Sequence, residues 1–251
     1  MTGILTWDKI DNMVRRSPYE LKRPKYECAY YHLERTMMLV EYALDVRTLF
    51  KDQPKLFRQS GGLSSFHIPK SSPEGEEFRL RYLGSNERVD FLNVWLRGER
   101  IVFEEFAREW GFKIIINLDL EFKFKKIKKY ALIIKKSRLS TLLKFFRDIL
   151  ESTKNPKIKF EIIIDSNLEE HRNILIVGDL FAAESLAGYH GQGLRQTMLT
   201  RHAPTIKNQI ELFDVRFEEL KQNQSDTSIE HVIGEIEKRL EIIETELNSK
   251  K

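Results

Sequence analysis

Residues 109–118 read EWGFKIIINL and join the end of one predicted element to the start of the next. Gly111 closes a stretch of helical character, and glycine commonly follows the last turn of a helix. The short run Lys113–Leu118 is rich in β-branched residues, which is typical of a buried strand. An alternating segment at Phe78–Tyr82 predicts a strand before the helix. The order strand, helix, strand therefore predicts a βαβ unit.

The same alternation continues towards the C-terminus. Further strands are predicted at four places: Tyr130–Ile134, Lys157–Ile164, Asn173–Val177 and Gln196–Thr200. Helices are predicted at Ser140–Glu151 and from Pro204, where an apolar stripe recurs at helical spacing. The sequence therefore predicts an α/β fold with a mixed sheet flanked by helices.

The N-terminal part has a different character. A helix is predicted over residues 25–50, followed by a loop over 51–77 that is rich in glycine, proline and serine. We therefore expect an N-terminal helical segment at 1–58, an α/β domain at 78–222 and a C-terminal helix at 227–251.

The C-terminal helix carries an apolar heptad pattern after a polar break at 222–228. The two apolar series are Ile229, Ile236 and Ile243, and Ile233, Leu240 and Leu247. Such a seam is typical of a coiled coil, which would join a protein partner or a homo-oligomer. The alternative is a helix that docks on its own domain.

Composition limits the compartment and the partners. The chain has 251 residues, a formal net charge of +4 and a single cysteine, Cys28. One cysteine cannot form an intramolecular disulfide, so a reducing compartment is expected. No apolar run approaches the roughly 18 residues of a membrane span. The prediction is a cytoplasmic protein without a membrane partner, and no spacing indicates a metal site or a cofactor.

A basic run follows the predicted strand at Lys113–Leu118. Its lysines are Lys123, Lys125, Lys126, Lys128 and Lys129, interleaved with aromatic side chains. Clustered lysines can neutralise phosphates and so bind nucleic acid without sequence preference. The alternative is a solvated edge strand that lysines protect from aggregation.

A second candidate anion site lies between the last predicted strand and the helix from Pro204. Arg201 and His202 precede this helix directly. The N–H groups and dipole at the start of a helix favour an anion. The sequence therefore predicts a site for a phosphate or another acidic ligand at this junction.

The segment from Phe78 to about Leu220 resembles the phospholipase D-like fold of the HKD phosphodiesterases. The resemblance rests on RYLGS at 81–85, EWGFKIII at 109–116, and HRNILIVGD at 171–179 followed by LFAAES. The active family has H-x-K-x4-D at the last of these places. Here His171 matches the histidine, whereas Asn173 replaces the lysine, Gly178 replaces the aspartate, and Asp179 follows one residue late. No second H-x-K occurs in the chain.

The resemblance implies a degenerate, non-catalytic member of that family. In the active enzymes the lysine neutralises phosphate oxygens, and an amide cannot supply that charge. We therefore predict a regulatory or binding subunit of a larger assembly that recognises a phosphate-bearing ligand or nucleic acid. Its expected ligand site comprises His171, Asn173, Arg201 and His202. The alternatives are a phosphodiesterase or nuclease that uses His171 and Asp179 and is completed by dimerisation, or a structural adaptor.

Overall fold

The computed structural model describes most of the chain from residue 25 onwards. The described ranges are 25–29, 32–50, 55–61, 103–119, 128–153, 157–168, 172–187 and 195–249, with residues 94, 98 and 101. The predicted strand at 78–82 lies outside these ranges.

Seven described strands form one mixed sheet in the order β1-β7-β6-β5-β2-β3-β4. The strands are β1 (Tyr26–Ala29), β2 (Phe57–Ser60), β3 (Phe112–Ile116), β4 (Phe160–Ile164), β5 (Arg172–Val177), β6 (Phe181–Ala187) and β7 (Arg195–Thr200). The neighbours β2, β3 and β4 run parallel, and the other neighbouring pairs are antiparallel.

Helices cover both faces of this sheet. They are α1 (His32–Phe50), α2 (residues 103–110), α3 (Lys128–Ser152), α4 (Ala203–Lys221) and α5 (Ile229–Asn248). The larger core joins α1, α2, α3 and α5 to one face, and a smaller core joins α4 to the other. The predicted α/β class, with a mixed sheet between helices, is confirmed.

Strand β3 shows why the sequence indicates this layering. Ile114 and Ile116 are buried in the larger core, whereas Ile115 is buried in the smaller one. A strand covered on both faces needs apolar side chains at successive positions, so it has no polar alternation. The KIIINL run therefore supplies a strand that is buried between the two layers.

Two predictions for the N-terminal part are corrected by the structure. Residues 26–29 form strand β1, which pairs with β7, and the helix begins only at His32. Strand β2 lies within the predicted loop and occupies the sheet between β5 and β3. Its sequence FRQS lacks apolar alternation. Arg58 tolerates this position because it donates two hydrogen bonds to Asp214 of α4, at 2.9 and 2.8 Å.

The strand predicted at Tyr130–Ile134 is also wrong, because these residues belong to α3. Leu132 shares a helical stripe with Leu139 and Phe146, which are buried in the larger core. Spacings of seven place these three side chains on one face of the helix. A short apolar run does not distinguish a strand from a buried helical turn. The predicted helix at Ser140–Glu151 is confirmed as the second half of α3.

The heptad seam of α5 packs on its own chain. Ile229, Ile236 and Ile243 are at most 4% exposed, and Ile233, Leu240 and Leu247 lie partly buried against the same core. The structure therefore shows the docked alternative, and the seam is not available to a partner as a coiled coil. None of the described helices has the length and apolarity needed to cross a membrane.

Candidate functional site

A row of polar side chains crosses three neighbouring strands of the sheet. Asn173 of β5 is paired with Ser185 of β6, which is paired in turn with Thr197 of β7. Directly opposite residues on neighbouring strands share a face of the sheet. All three are buried, with exposures of 7%, 2% and 0%. The row lies near the edge at which β2, β3 and β4 end.

Helix α1 contributes a cation to this row. The Arg35 Nε donates a hydrogen bond to Ser185 Oγ at 3.1 Å, and Ser185 Oγ lies 2.8 Å from Thr197 Oγ1. Arg35 is itself only 6% exposed. The guanidinium group therefore joins α1 to two strands through hydroxyl groups that are shielded from water.

Gly61 closes the row from the end of β2. Its φ is +128°, and a Cβ added there would lie 2.1 Å from Asn173 Oδ1. Only a residue without a side chain permits this approach, because the conformation is left-handed and the space is taken. Asn173 is thus closely packed against the end of β2.

Asp179 lies far from this row. It belongs to the turn between β5 and β6, its side chain is 64% exposed, and its Oδ1 pairs with Lys55 Nζ at 3.0 Å. A strand rises about 3.3 Å per residue, so the length of β5 puts roughly 15–20 Å between Asp179 and Asn173. His171 lies outside the described residues. The structure does not bring Asp179 to the Asn173 end of β5.

The basic run is described only in part. Lys123, Lys125 and Lys126 lie outside the described ranges, and Lys128 and Lys129 are described only by their backbone, which opens α3. The cations that follow serve the fold. Lys135 pairs with Asp119, Lys136 pairs with Glu244, and the fully buried Arg138 donates to the carbonyl of Asn117 at 2.7 Å. Nucleic-acid binding by the lysine run stays a prediction.

Arg201 and His202 lie at the start of α4, as the sequence predicts. His202 is the N-cap residue, but its side chain makes no capping hydrogen bond. Instead its Nδ1 lies 2.9 Å from Thr205 Oγ1, which is also 3.0 Å from the hydroxyl of Tyr26. The backbone N–H of Arg201 donates a hydrogen bond to the carbonyl of Lys25 at 2.9 Å, so the exposed residues Arg201 and Lys25 lie side by side.

The start of α4 differs from that of α5. In α5, Ser228 accepts a hydrogen bond from His231 N, and Glu230 supplies a negative charge in the first turn. The first turn of α4 contains no acidic residue. No carboxylate in the described part of the chain lies within ion-pair distance of Lys25 or Arg201. N–H groups, a helix dipole and two cations together suit an anion.

The structure therefore divides the predicted ligand site. Asn173 lies under α1 near the start of β5, whereas Arg201 and His202 lie beside α4, past the far end of β7. The last three residues of β7 separate Thr197 from Arg201. The role of Arg35 has no signal in the sequence, because it depends on a contact with Ser185, 150 positions away. Among the described residues, no group of three His, Cys, Asp or Glu side chains could hold a metal ion.

Comparisons with known proteins find structural similarity without sequence similarity. No family model matches the chain, and no curated protein matches it. TrmBL2, an archaeal chromatin protein with a novel mode of DNA binding, aligns over 84% of this chain and 60% of its own, at 10% identity and a TM-score of 0.37. Phosphatidylserine synthase from Haemophilus influenzae Rd KW20 aligns over 86% and 43%, at 10% identity and a TM-score of 0.40. The chain thus spans less than two thirds of either protein.

Proposed function

We propose that this protein is a non-catalytic binding subunit that recognises a phosphate-bearing ligand at the start of α4. The observation that carries the proposal is the closed row of Arg35, Asn173, Ser185 and Thr197. It includes Asn173, the residue that the sequence resemblance aligns with the lysine of the HKD motif. The ligand contact is then assigned to the exposed cations Lys25 and Arg201.

The row argues against phosphoryl transfer because its groups are committed to one another. A transferring phosphoryl group needs cations and donors arranged around its oxygens. At this position Asn173 is neutral, Arg35 is bonded to Ser185, and all the members are shielded from water. A ligand could enter the row only if α1 moved and the buried contact between Arg35 and Ser185 broke.

The start of α4 offers the complementary properties. Arg201 and Lys25 are exposed, and the side chains of His202 and Thr205 are hydrogen-bonded to each other. The first turn offers the N–H groups of Ala203 and Thr205, because Pro204 has none. Charge-assisted hydrogen bonds from an arginine to phosphate oxygens are among the stronger polar contacts in proteins. The proposal does not include partner contact through α5, because its seam is buried.

The test is a titration with pyrophosphate, followed by NMR of the backbone amides. Shifts are expected at Arg201, Ala203 and Thr205, and Arg201→Gln should weaken binding roughly tenfold, which equals the loss of one charge-assisted contact of about 1.4 kcal/mol. Lys238→Gln is the matched control, since Lys238 lies on the distant α5 and is 72% exposed. Unchanged affinity in the Arg201 variant would overturn the proposal.

A further inference from the structure

Beside the start of α4, part of one sheet face carries exposed apolar side chains. Tyr26 of β1, Met198 of β7 and Leu186 of β6 are 48%, 43% and 49% exposed. The strand register places Tyr26 opposite Thr200, and Cys28 opposite Met198. Alternate residues share a face, so these side chains lie together on the face that α4 covers elsewhere.

Helix α4 covers only the other half of this face. Its residues Ile206, Phe213 and Phe217 pack with Ile115, Ile163 and Ile176 of the central and β4-side strands. Of the described helices, only α4 packs on this face, so its cover stops before Met198 and Leu186. We name the surface formed by Tyr26, Cys28, Leu186 and Met198 the open sheet face.

Cations border the open sheet face. Lys25 and Arg201 lie at one end, and Arg172, paired with Glu184 at 2.7 Å, lies at the other. Tyr26 connects the face to the start of α4, because its hydroxyl contacts Thr205 and its ring centroid lies 5.7 Å from that of His202. Tyr26 therefore joins the open sheet face to the proposed phosphate site. The register also places Glu184, paired with Arg172, opposite Met198 on this face.

We infer that the open sheet face binds single-stranded nucleic acid, with a backbone phosphate at the start of α4 and a base on Tyr26 and Met198. This inference rests on the proposed function and names its ligand. Single strands expose base faces that stack on aromatic and apolar side chains, whereas a duplex keeps its base faces covered. A stable protein interface uses about 20–30 residues on each side, far more than this face presents.

The test measures fluorescence anisotropy of a labelled oligothymidylate of about 12 nucleotides, within the usual range of site sizes. Tyr26→Leu keeps the apolar bulk but removes the aromatic ring, and Met198→Ser removes apolar contact. Each should weaken oligonucleotide binding roughly five- to tenfold. Met198→Ser, which lies outside the phosphate site, should in addition retain pyrophosphate binding. Arg201→Gln should weaken both and flatten the salt dependence by about 0.7 in log–log slope. Leu212→Ser is the control, because Leu212 is 62% exposed on the outer side of α4.

The outcomes separate this inference from the proposed function. Pyrophosphate binding without a preference for single strands over duplex overturns the inference and leaves the function standing. If the wild type binds neither pyrophosphate nor the oligonucleotide, the proposed function itself is overturned. Binding that is lost only when Lys123, Lys125, Lys126 and Lys128 are changed to glutamine assigns the nucleic acid to the lysine run and overturns the inference. The wild type could instead form a homodimer that binds no oligonucleotide and dissociates in the Tyr26 and Met198 variants. That result would assign the open sheet face to a second copy of the chain and would also overturn the inference.

Discussion

Arg239 of α5 donates two hydrogen bonds to Asp119, from Nε to Oδ1 and from Nη2 to Oδ2, each at 2.9 Å. Asp119 lies three residues after the end of β3. Lys135 of α3 approaches the same carboxylate at 3.7 Å. The C-terminal helix is therefore tied to the sheet by a two-point contact as well as by its apolar seam.

This contact should make stability depend on pH. The hydrogen bond from Arg239 holds the pKa of Asp119 below its ordinary value of 3.8, although burial acts in the opposite direction. A lowered pKa contributes stability above pH 3.8, and that contribution is lost as the pH falls through the folded-state pKa. Asp119→Asn should therefore lower the free energy of unfolding at pH 7, by at most about 1 kcal/mol because the side chain is 41% exposed.

Urea unfolding of the wild type and Asp119→Asn at pH 7, 5 and 3 measures this dependence. The difference between them should be largest at pH 7 and shrink at pH 3. Glu211→Gln on the exposed side of α4 is a control that should show no comparable change. An Asp119→Asn effect of equal size at all three values would show that the contact is not electrostatic.

The buried seam of α5 predicts a stability effect rather than a loss of association. Ile236 is 0% exposed in the larger core, so Ile236→Ala should lower the free energy of unfolding by about 2–5 kcal/mol. Ile242 is 59% exposed on the same helix, and Ile242→Ala should change it by less than about 0.5 kcal/mol. Urea unfolding and light scattering measure the two effects. A dimer that becomes a stable monomer in the Ile236 variant would instead support the coiled coil.

The elements that could be predicted from the sequence are those whose apolar pattern distinguishes a strand from a helix. Strand β3 needs apolar residues on both faces, and α4 carries a long helical stripe of which Ile206, Phe213 and Phe217 are buried. Strand β2 could not be predicted, because Arg58 is accommodated by Asp214, 156 positions away. The strand prediction at Tyr130–Ile134 failed because four or five apolar residues suit a helix equally well.

The candidate sites could be predicted only where neighbours in sequence are neighbours in space. Arg201 and His202 lie at a helix start because the chain passes directly from β7 into α4. The closed row depends on three strands and α1, so its pairing of Arg35 with Ser185 follows from tertiary structure alone. For the same reason Lys25 and Tyr26 joined the phosphate site only once β1 was seen to pair with β7.

The polar segment between α4 and α5 covers a strand edge, although its composition indicates only a break between two helices. Gln224 Oε1 accepts a hydrogen bond from Ile164 N at 2.9 Å, its Nε2 donates to Ile162 O at 3.0 Å, and Ile162 N donates to Thr227 O at 2.9 Å. These bonds cover the outer edge of β4, the last of the described strands on that side of the sheet. An uncovered edge strand can pair with another chain and aggregate.

Gln224→Ala should therefore destabilise the protein and promote aggregation. Loss of hydrogen bonds to two partly buried backbone groups should cost about 1–2 kcal/mol in the free energy of unfolding. Gln222→Ala, two positions earlier, leaves the edge of β4 covered and is the matched control. Urea unfolding and light scattering during heating measure both effects. Equal behaviour of the two variants would mean that the glutamine does not protect the edge.

The central claim is that this fold binds phosphate without cleaving a phosphodiester. Its most direct test is hydrolysis of a generic phosphodiester and of single-stranded nucleic acid, at protein concentrations high enough to populate any dimer. Wild type and His171→Ala are compared, with pyrophosphate binding as the check that each is folded. Binding is expected in both, with no hydrolysis above background in either. Hydrolysis by the wild type that His171→Ala abolishes would contradict it and restore the phosphodiesterase alternative.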